Sequence, residues 1–350
     1  MICGTLVKTD RGLMQVESVC SGYKIWTRHG WKTIAEKVEL GPQYPLELKT
    51  DLGYSIFSTT QQTFEVLLPT GCTEMRTADT LKGEYLLQDF GTRPFPEVAP
   101  CVHLNNDTLK MTVPLSYLIG VLAKNPSENR LSSGIRQQLL TCFGEGFSES
   151  DWFRKINPGR NLGLILRSPR VHARSFLRGI FDAEGCIHDS QVCLYAGVFS
   201  IALRMSVLFL LLDLGIDCRI SEGHERHIAI ASGSRKRFAD LIGFSEPSLQ
   251  QKIGEGVPDR RWALGHLFAK ICHTYRDRIG SSPFERRILY GDTVMVPTST
   301  FDTMLNLLRD VADDLDVLAL RSLLDSTIAT KVNTVALCRA TMPAYRLDYV

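Results

Sequence analysis

Hydrophobic and polar positions follow two different rhythms along this chain. Up to residue 97, short apolar alternations such as Thr5 to Val7, Met14 to Val16, Tyr23 to Trp26, Leu46 to Leu48 and Tyr54 to Phe57 are broken by Gly, Asp and Pro. Breaks about every 8 to 12 residues predict an all-β unit, a sandwich or a small barrel. The prolines of GTRPFPEVAP discourage regular structure, and residues 98–112 read as a linker. Beyond it the period lengthens. Pro114 to Leu122 predicts an apolar helix with its proline in the first turn, followed by a helix over Ser133 to Cys142 and a strand around Leu162 to Leu166. Val192 to Phe199 and Cys218 to Ile230 alternate like strands on either side of a helix from Ala202 to Leu214, with a hairpin tip near Gly223. Residues 260–327 are mostly helical. Their apolar faces are expected to pack inside the same domain, and Lys331 to Val350 to return to the β unit.

One stretch organises the rest: Ser175 to Ile187, SFLRGIFDAEGCI. Phe176, Leu177, Ile180 and Phe181 supply apolar bulk at helical spacing. Gly179 and Ala183, four apart, leave one face almost bare, so that another helix can come very close. Glu184 then ends the helix, and Gly185 releases the chain into a strand. A carboxylate at a helix C-terminus is unfavourable to the macrodipole, which points to chemistry, although an ordinary buried helix ending in a solvated acid has the same pattern.

Composition narrows the class. Hydrophobic residues make up 44% of the 350 and charged residues 22%, as in a soluble globular protein. No run reaches the roughly 20 apolar residues of a membrane helix, and MICGTLVKTDRG has no apolar signal core, so an intracellular protein is expected. Ten cysteines without a CxxC pair argue against zinc and for reduced thiols. The net charge of +2 is uneven. Residues 151–290 hold 21 Lys or Arg against 14 Asp or Glu, an excess of +7, which suits a polyanion.

FLRGIFDAEGCI closely resembles the second motif of the LAGLIDADG homing endonucleases, with Gly179, Asp182, Ala183, Glu184 and Gly185 in register. The resemblance implies two such helices packed together, each ending in an acid that holds a divalent metal, Mg²⁺ in an active enzyme, over the scissile phosphates. Glu184 matches that catalytic, metal-binding acid. PLSYLIGVL resembles the first motif, but where the family has Gly-Asp-Gly this chain has Lys124-Asn125-Pro126. Asn125 therefore stands at the second catalytic position. Lys124 stands where the helices should be closest, and its ammonium is expected to take the metal's place beside Glu184. RFADLIGF, residues 237–244, is similar to the family's closing helix and turn. Family members lay their strands in the major groove as a saddle, which makes His188, Gln191, Arg219, Arg226 and His227 candidates for base contacts. Arg235, Lys236, Arg237, Arg160, Arg167 and Arg170 are candidates for phosphate contacts.

The first hundred residues are similar to the Hint fold of inteins, from GTLVKTDRG through LELKTDLGYSIFSTTQQTF to TADTLKGEYLL. A unit without splicing chemistry is expected. The expected junction nucleophile falls before residue 1, the T-x-x-H motif reads Thr60-Gln61-Gln62-Thr63, and no His-Asn pair follows AYRLDYV. A hydroxyl cannot replace an imidazole as general acid near pH 7, and Cys3 reads better as a structural thiol than as a nucleophile.

Together these imply an α+β chain. A discontinuous Hint-like β domain, residues 1–97 and 328–350, would carry an inserted LAGLIDADG domain, residues 113–327, with a two-helix core and a β saddle. Three functions stay open: a double-stranded DNA-binding protein that has lost splicing and efficient cleavage, an active homing endonuclease, and a structural or RNA-binding subunit of a larger assembly. A monomer with an internal pseudo-two-fold, away from membranes, is expected.

Overall fold

The computed structural model describes residues 1–27, 30–89, 95–104, 107–123, 133–143, 158–188, 191–197, 199–220, 227–253, 261–262, 264–279 and 296–350. They form two compact units, residues 1–43 with 93–255 and 342–350, and residues 44–92 with 256–341.

In the first unit, β1 (Leu6–Thr9), β2 (Gly12–Gln15), β3 (Lys24–Thr27), β4 (Gly30–Gln43) and the C-terminal β19 (Met342–Tyr349) form an antiparallel sheet of order β19-β4-β3-β1-β2. Its core is Val7, Met14, Val16, Val19, Ile25, Ile34 and Leu347. The chain continues through the hairpin β10 (Cys101–Leu104) and β11 (Asp107–Lys110) into α1 (Val113–Val121), α2 (Ser133–Phe143), α3 (Pro158–Ile165) and α4 (Arg170–Glu184). It then alternates β12 (Gly185–His188), β13 (Gln191–Tyr195), α5 (Ile201–Asp213), β14 (Cys218–Ile220), β15 (His227–Ile230), α6 (Arg235–Leu241) and α7 (Pro247–Lys252). The β1–β2 hairpin is fastened to this helical part. Gly12, at φ +97°, lies so close that a Cβ would be 2.6 Å from the Arg167 Cα, and the Leu13 N–H donates to the Leu166 carbonyl at 2.9 Å. Lys8 Nζ also lies 3.5 Å from the buried Asp213 carboxylate.

The second unit is built on β6-β5-β18-β9-β7-β8, with β5 (Leu46–Thr50), β6 (Ser55–Ser58), β7 (Thr63–Leu67), β8 (Thr73–Thr77), β9 (Tyr85–Asp89) and β18 (Thr327–Leu337). It also holds α8 (Gly265–Thr274), α9 (Arg276–Ile279), α10 (Thr298–Leu307), α11 (Leu315–Ser326) and the short pair β16 (Arg261–Trp262) and β17 (Val296–Pro297). The helices of residues 260–327 were expected to pack inside the domain of α1 and α4. They pack here instead: Leu267, Phe268, Ile271, Phe301, Met304, Val317 and Leu320 form one core with Leu67 of β7, against Tyr85, Leu87 and Ala329.

A second correction concerns Leu162 to Leu166, expected as a strand and found largely within α3. Leu162, Ile165 and Leu166 are buried while Gly163 is exposed, the one-sided burial of a helix rather than the alternation of a strand. The helices of this region lie close to their predicted bounds, but residues 98–112, expected as a linker, hold the hairpin β10–β11, and the hairpin tip expected near Gly223 lies outside the described residues.

The crossing of α1 and α4 sets the geometry of the first unit. Leu115 to Val121 are all buried, and Thr112 caps the helix by accepting from the Leu115 N–H at 3.3 Å, with proline in the first turn. On α4, Ser175 Oγ donates to the Val113 carbonyl at 2.8 Å. The two glycines face the partner backbones reciprocally. A Cβ on Gly120 would sit 2.1 Å from the Phe176 carbonyl oxygen, and one on Gly179 2.2 Å from that of Tyr117 and 2.9 Å from the Val121 nitrogen. Backbone cannot step aside as a flexible side chain can, so a methyl group at either position must separate the helices.

Gly179→Ala or Gly120→Ala is therefore expected to destabilise the first unit by about 1 to 3 kcal/mol or more in denaturant unfolding. Gly163→Ala, at an exposed helical site with nothing within 4 Å of its Cβ, is expected to stabilise by roughly 0.4 to 1 kcal/mol. Equal responses at the two kinds of site would contradict the close crossing.

Candidate nucleic-acid interface

The sheet that follows α4 starts where the helix stops. Gly185 is extended, φ −81° and ψ 149°, so it is not a left-handed cap. Glycine is required there by space: a Cβ would lie 2.4 Å from the Phe181 carbonyl oxygen and 2.8 Å from the Phe244 ring. Phe181 and Phe244 also stack edge-on with Phe238 of α6, at centroid distances of 4.7 to 6.3 Å, which ties the end of α4 to the closing helix and turn.

The sheet order is β12-β13-β15-β14, antiparallel throughout. Its register pairs His188 with Gln191, Cys186 with Cys193, Cys193 with Ala229, Tyr195 with His227 and Arg219 with Ala229. Directly opposed residues share a face and successive residues alternate. One face therefore carries His188, Gln191, Arg219 and His227 together with Tyr195, Cys186 and Cys193. The other carries Val192, Leu194, Cys218, Ile228 and Ile230, all buried, with α4 packed on β13 and α5 on β14. Four residues proposed from sequence as base contacts thus share one face of the sheet. Arg226 falls outside the described residues.

The basic residues separate into two places. Arg235 opens α6; burial and then Cys186 raise the Cys193 thiol pKa, and Arg219 and Arg235 both lie close enough to oppose that rise. The Arg235 Nε is buried without a hydrogen-bond partner among the described residues. Arg170, by contrast, is the first residue of α4, so about 21 Å of helix separates it from Glu184. Burial lowers its pKa, and so do the neighbouring Arg237 and Arg174. Arg237 is engaged in closing α5: its Nε donates to the Leu214 carbonyl at 2.8 Å, over Gly215 at φ +73°. Lys236 pairs with Asp240 at 3.1 Å. Arg167 Nε donates to the Gly163 carbonyl at 3.0 Å, while Arg160 lies on α3 with its side chain outside the description. Arg174 and Arg178 donate to the Leu241 and Ile242 carbonyls at 2.6 and 2.5 Å, holding α4 against the end of α6.

At the C-terminal end of α4, Glu184 is the last helical residue and half-buried. Lys124 and Asn125 lie outside the described residues. Among those described, no three His, Cys, Asp or Glu side chains gather into a set that could hold a metal. Asp182, two residues before Glu184 on α4, has a structural role. It accepts from the Tyr117 hydroxyl at 2.9 Å, the Ser245 N–H at 2.8 Å and the Ser245 hydroxyl at 2.5 Å, joining α1, α4 and the turn after α6. Burial still pushes its pKa up, against these three donors and Arg178. Tyr117 is pushed well up as well, chiefly by burial and then by Asp182. Sequence gave Asp182 only as part of a motif. Tyr117 and Ser245 become visible only once the helices cross.

In the first unit the Cys3 thiol is raised, by burial first and by Glu17 second, which leaves it a poor nucleophile. In the second unit Thr63, at the motif histidine's place, is the exposed first residue of β7, opposite Thr77.

A carboxyl whose folded pKa is raised favours folding while protonated, and that contribution is lost as pH rises through the folded value. The stability difference between the natural chain and Asp182→Asn, which is neutral throughout, is expected to move in the variant's favour as pH rises from about 4. Unfolding measured across pH checks this; a difference independent of pH would contradict it.

Among curated proteins no match is found. Residues 172–243, from the first turn of α4 through the four-stranded sheet to the turn after α6, match the LAGLIDADG-like domain, a domain of homing-endonuclease-like, DNA-binding proteins.

Proposed function

We propose that this chain binds double-stranded DNA with the polar face of β12-β13-β15-β14, as an intein-derived protein of the homing-endonuclease type that neither splices nor makes efficient double-strand breaks. The observation that carries the reading is the two-faced sheet growing directly out of the motif helix: His188, Gln191, Arg219, His227 and Tyr195 on one side, a buried apolar layer on the other. The B-DNA major groove, about 12 Å wide, admits a two-stranded β-ribbon, and side chains such as Arg and Gln read base edges there. Arg219 and Arg235 supply fixed charge at that face. Arg170 and Arg237, at the other end of α4, are not part of it.

Loss of cleavage follows from residue type. Hydrolysis of a phosphodiester needs the developing charge held by metal ions or fixed dipoles. Glu184 would be one metal ligand, but the chain has an amide at 125 and an ammonium at 124, a weaker ligand and a competing cation. Loss of splicing follows from Thr63 in place of histidine.

Duplex DNA is expected to bind non-specifically with a Kd of roughly 10⁻⁴ to 10⁻⁶ M at physiological salt, weakening steeply as salt rises. Arg219→Ala should weaken binding, and Arg235→Ala should lower the salt slope by about one, while Arg170→Ala leaves both unchanged. Binding that prefers RNA, or an Arg170→Ala effect equal to that of Arg219→Ala, overturns the interface.

With Mg²⁺ or Mn²⁺ the natural chain is expected to leave a selected duplex uncut. Segments fused to both ends should remain unligated. Double-strand cleavage abolished by Glu184→Gln, or a ligated product, would sink the corresponding half of the reading.

A further inference from the structure

Two thiols face each other across the first two strands of the recognition sheet. Cys186 of β12 is exposed, Cys193 of β13 is buried, and they are direct cross-strand partners. Opposed residues of an antiparallel pair have Cα atoms about 4.5 to 5.5 Å apart, within the roughly 4.4 to 6.8 Å that a disulfide spans. Cys186 is near enough to help burial raise the Cys193 thiol pKa, while Arg219 and Arg235 oppose it. Cys218, the other cysteine of this sheet, pairs with Ile230 and points into the core face.

We propose that Cys186 and Cys193 form a dithiol site on the recognition face, with Cys186 reacting with low-molecular-weight disulfides of the glutathione class and Cys193 resolving the adduct. In the first step Cys186 gives up its proton, and its sulfur attacks the reagent. The reagent's S–S bond breaks, a mixed disulfide forms on Cys186, and the released thiolate takes a proton. In the second step Cys193 attacks the Cys186 sulfur, expels the second thiol, passes its proton to it, and leaves a Cys186–Cys193 bond. Two protein thiols are oxidised and one disulfide is reduced to two thiols. The order follows exposure: the reagent reaches Cys186 from solvent, whereas the buried Cys193 meets only what is already attached opposite it.

The pair would keep the face usable. A glutathione adduct on Cys186 places bulk and negative charge on the face that carries Arg219, where a duplex would lie. Closure replaces that adduct with a bond lying within the sheet. The thiol chemistry is independent of the DNA reading; only its consequence for binding rests on that reading.

The test treats the full chain with glutathione disulfide, maps adducts by non-reducing digestion and mass spectrometry, and measures duplex affinity before and after. The natural chain is expected to accumulate the 186–193 bond and keep its affinity. Cys193→Ala is expected to hold a lasting adduct on Cys186 and lose affinity, and Cys186→Ser to leave Cys193 unmodified. A lasting Cys186 adduct in the natural chain, or a bond from Cys186 to any other cysteine, overturns the proposal. If untreated protein fails to bind duplex, the DNA reading is what falls, and the digestion still decides the dithiol.

Discussion

The helical part of the first unit, and the sheet that grows from it, depend on two helices touching backbone to backbone. Gly120 lies under the Phe176 carbonyl and Gly179 under that of Tyr117, at separations that leave no room for a methyl group. Such contact fixes both the distance between the helices and their relative rotation, because a glycine faces the partner only in one register. The buried length of α1 and the apolar face of α4 supply the driving force. The glycines decide the geometry in which it is realised, and with it the position of the sheet that begins at Gly185.

The Asp182 network is a polar consequence of the same crossing. A half-buried carboxyl is costly unless it is hydrogen-bonded, and three donors from two other elements reach it. The Arg174 and Arg178 bonds to the Leu241 and Ile242 carbonyls act in the same direction, placing cations at the C-terminal end of α6 where the macrodipole favours them. These contacts lock α4 to the closing turn.

Much of this was legible in the sequence where local pattern and tertiary role coincide. Gly179 in an apolar helix, and Glu184 before Gly185, announce a close crossing and an abrupt helix-to-strand change. The failures come where the deciding partner is remote. NLGLIL is too short for periodicity to separate strand from helix, and the burial of Leu162 and Ile165 is settled by what lies beneath them. The faces of α8, α10 and α11 are plainly amphipathic, but nothing along them says that they cover Leu67, Tyr85 and Leu87. Arg170 and Arg237 look like the other basic candidates in sequence, yet helix length and a carbonyl partner place them elsewhere. The Cys186–Cys193 pairing needs the register, which the sequence pattern alone left open.

The central claim is that the face shared by His188, Gln191, Arg219 and His227 is where duplex DNA lies. Amide hydrogen exchange of the full chain with and without saturating duplex tests it most directly, since it reports position without altering the protein. The account predicts slowed exchange in residues 185–195, 218–220 and 227–235, with the N-terminal turns of α4 unchanged. Protection confined to residues 170–178 or to the second unit, with exchange in the sheet unaltered, would contradict it.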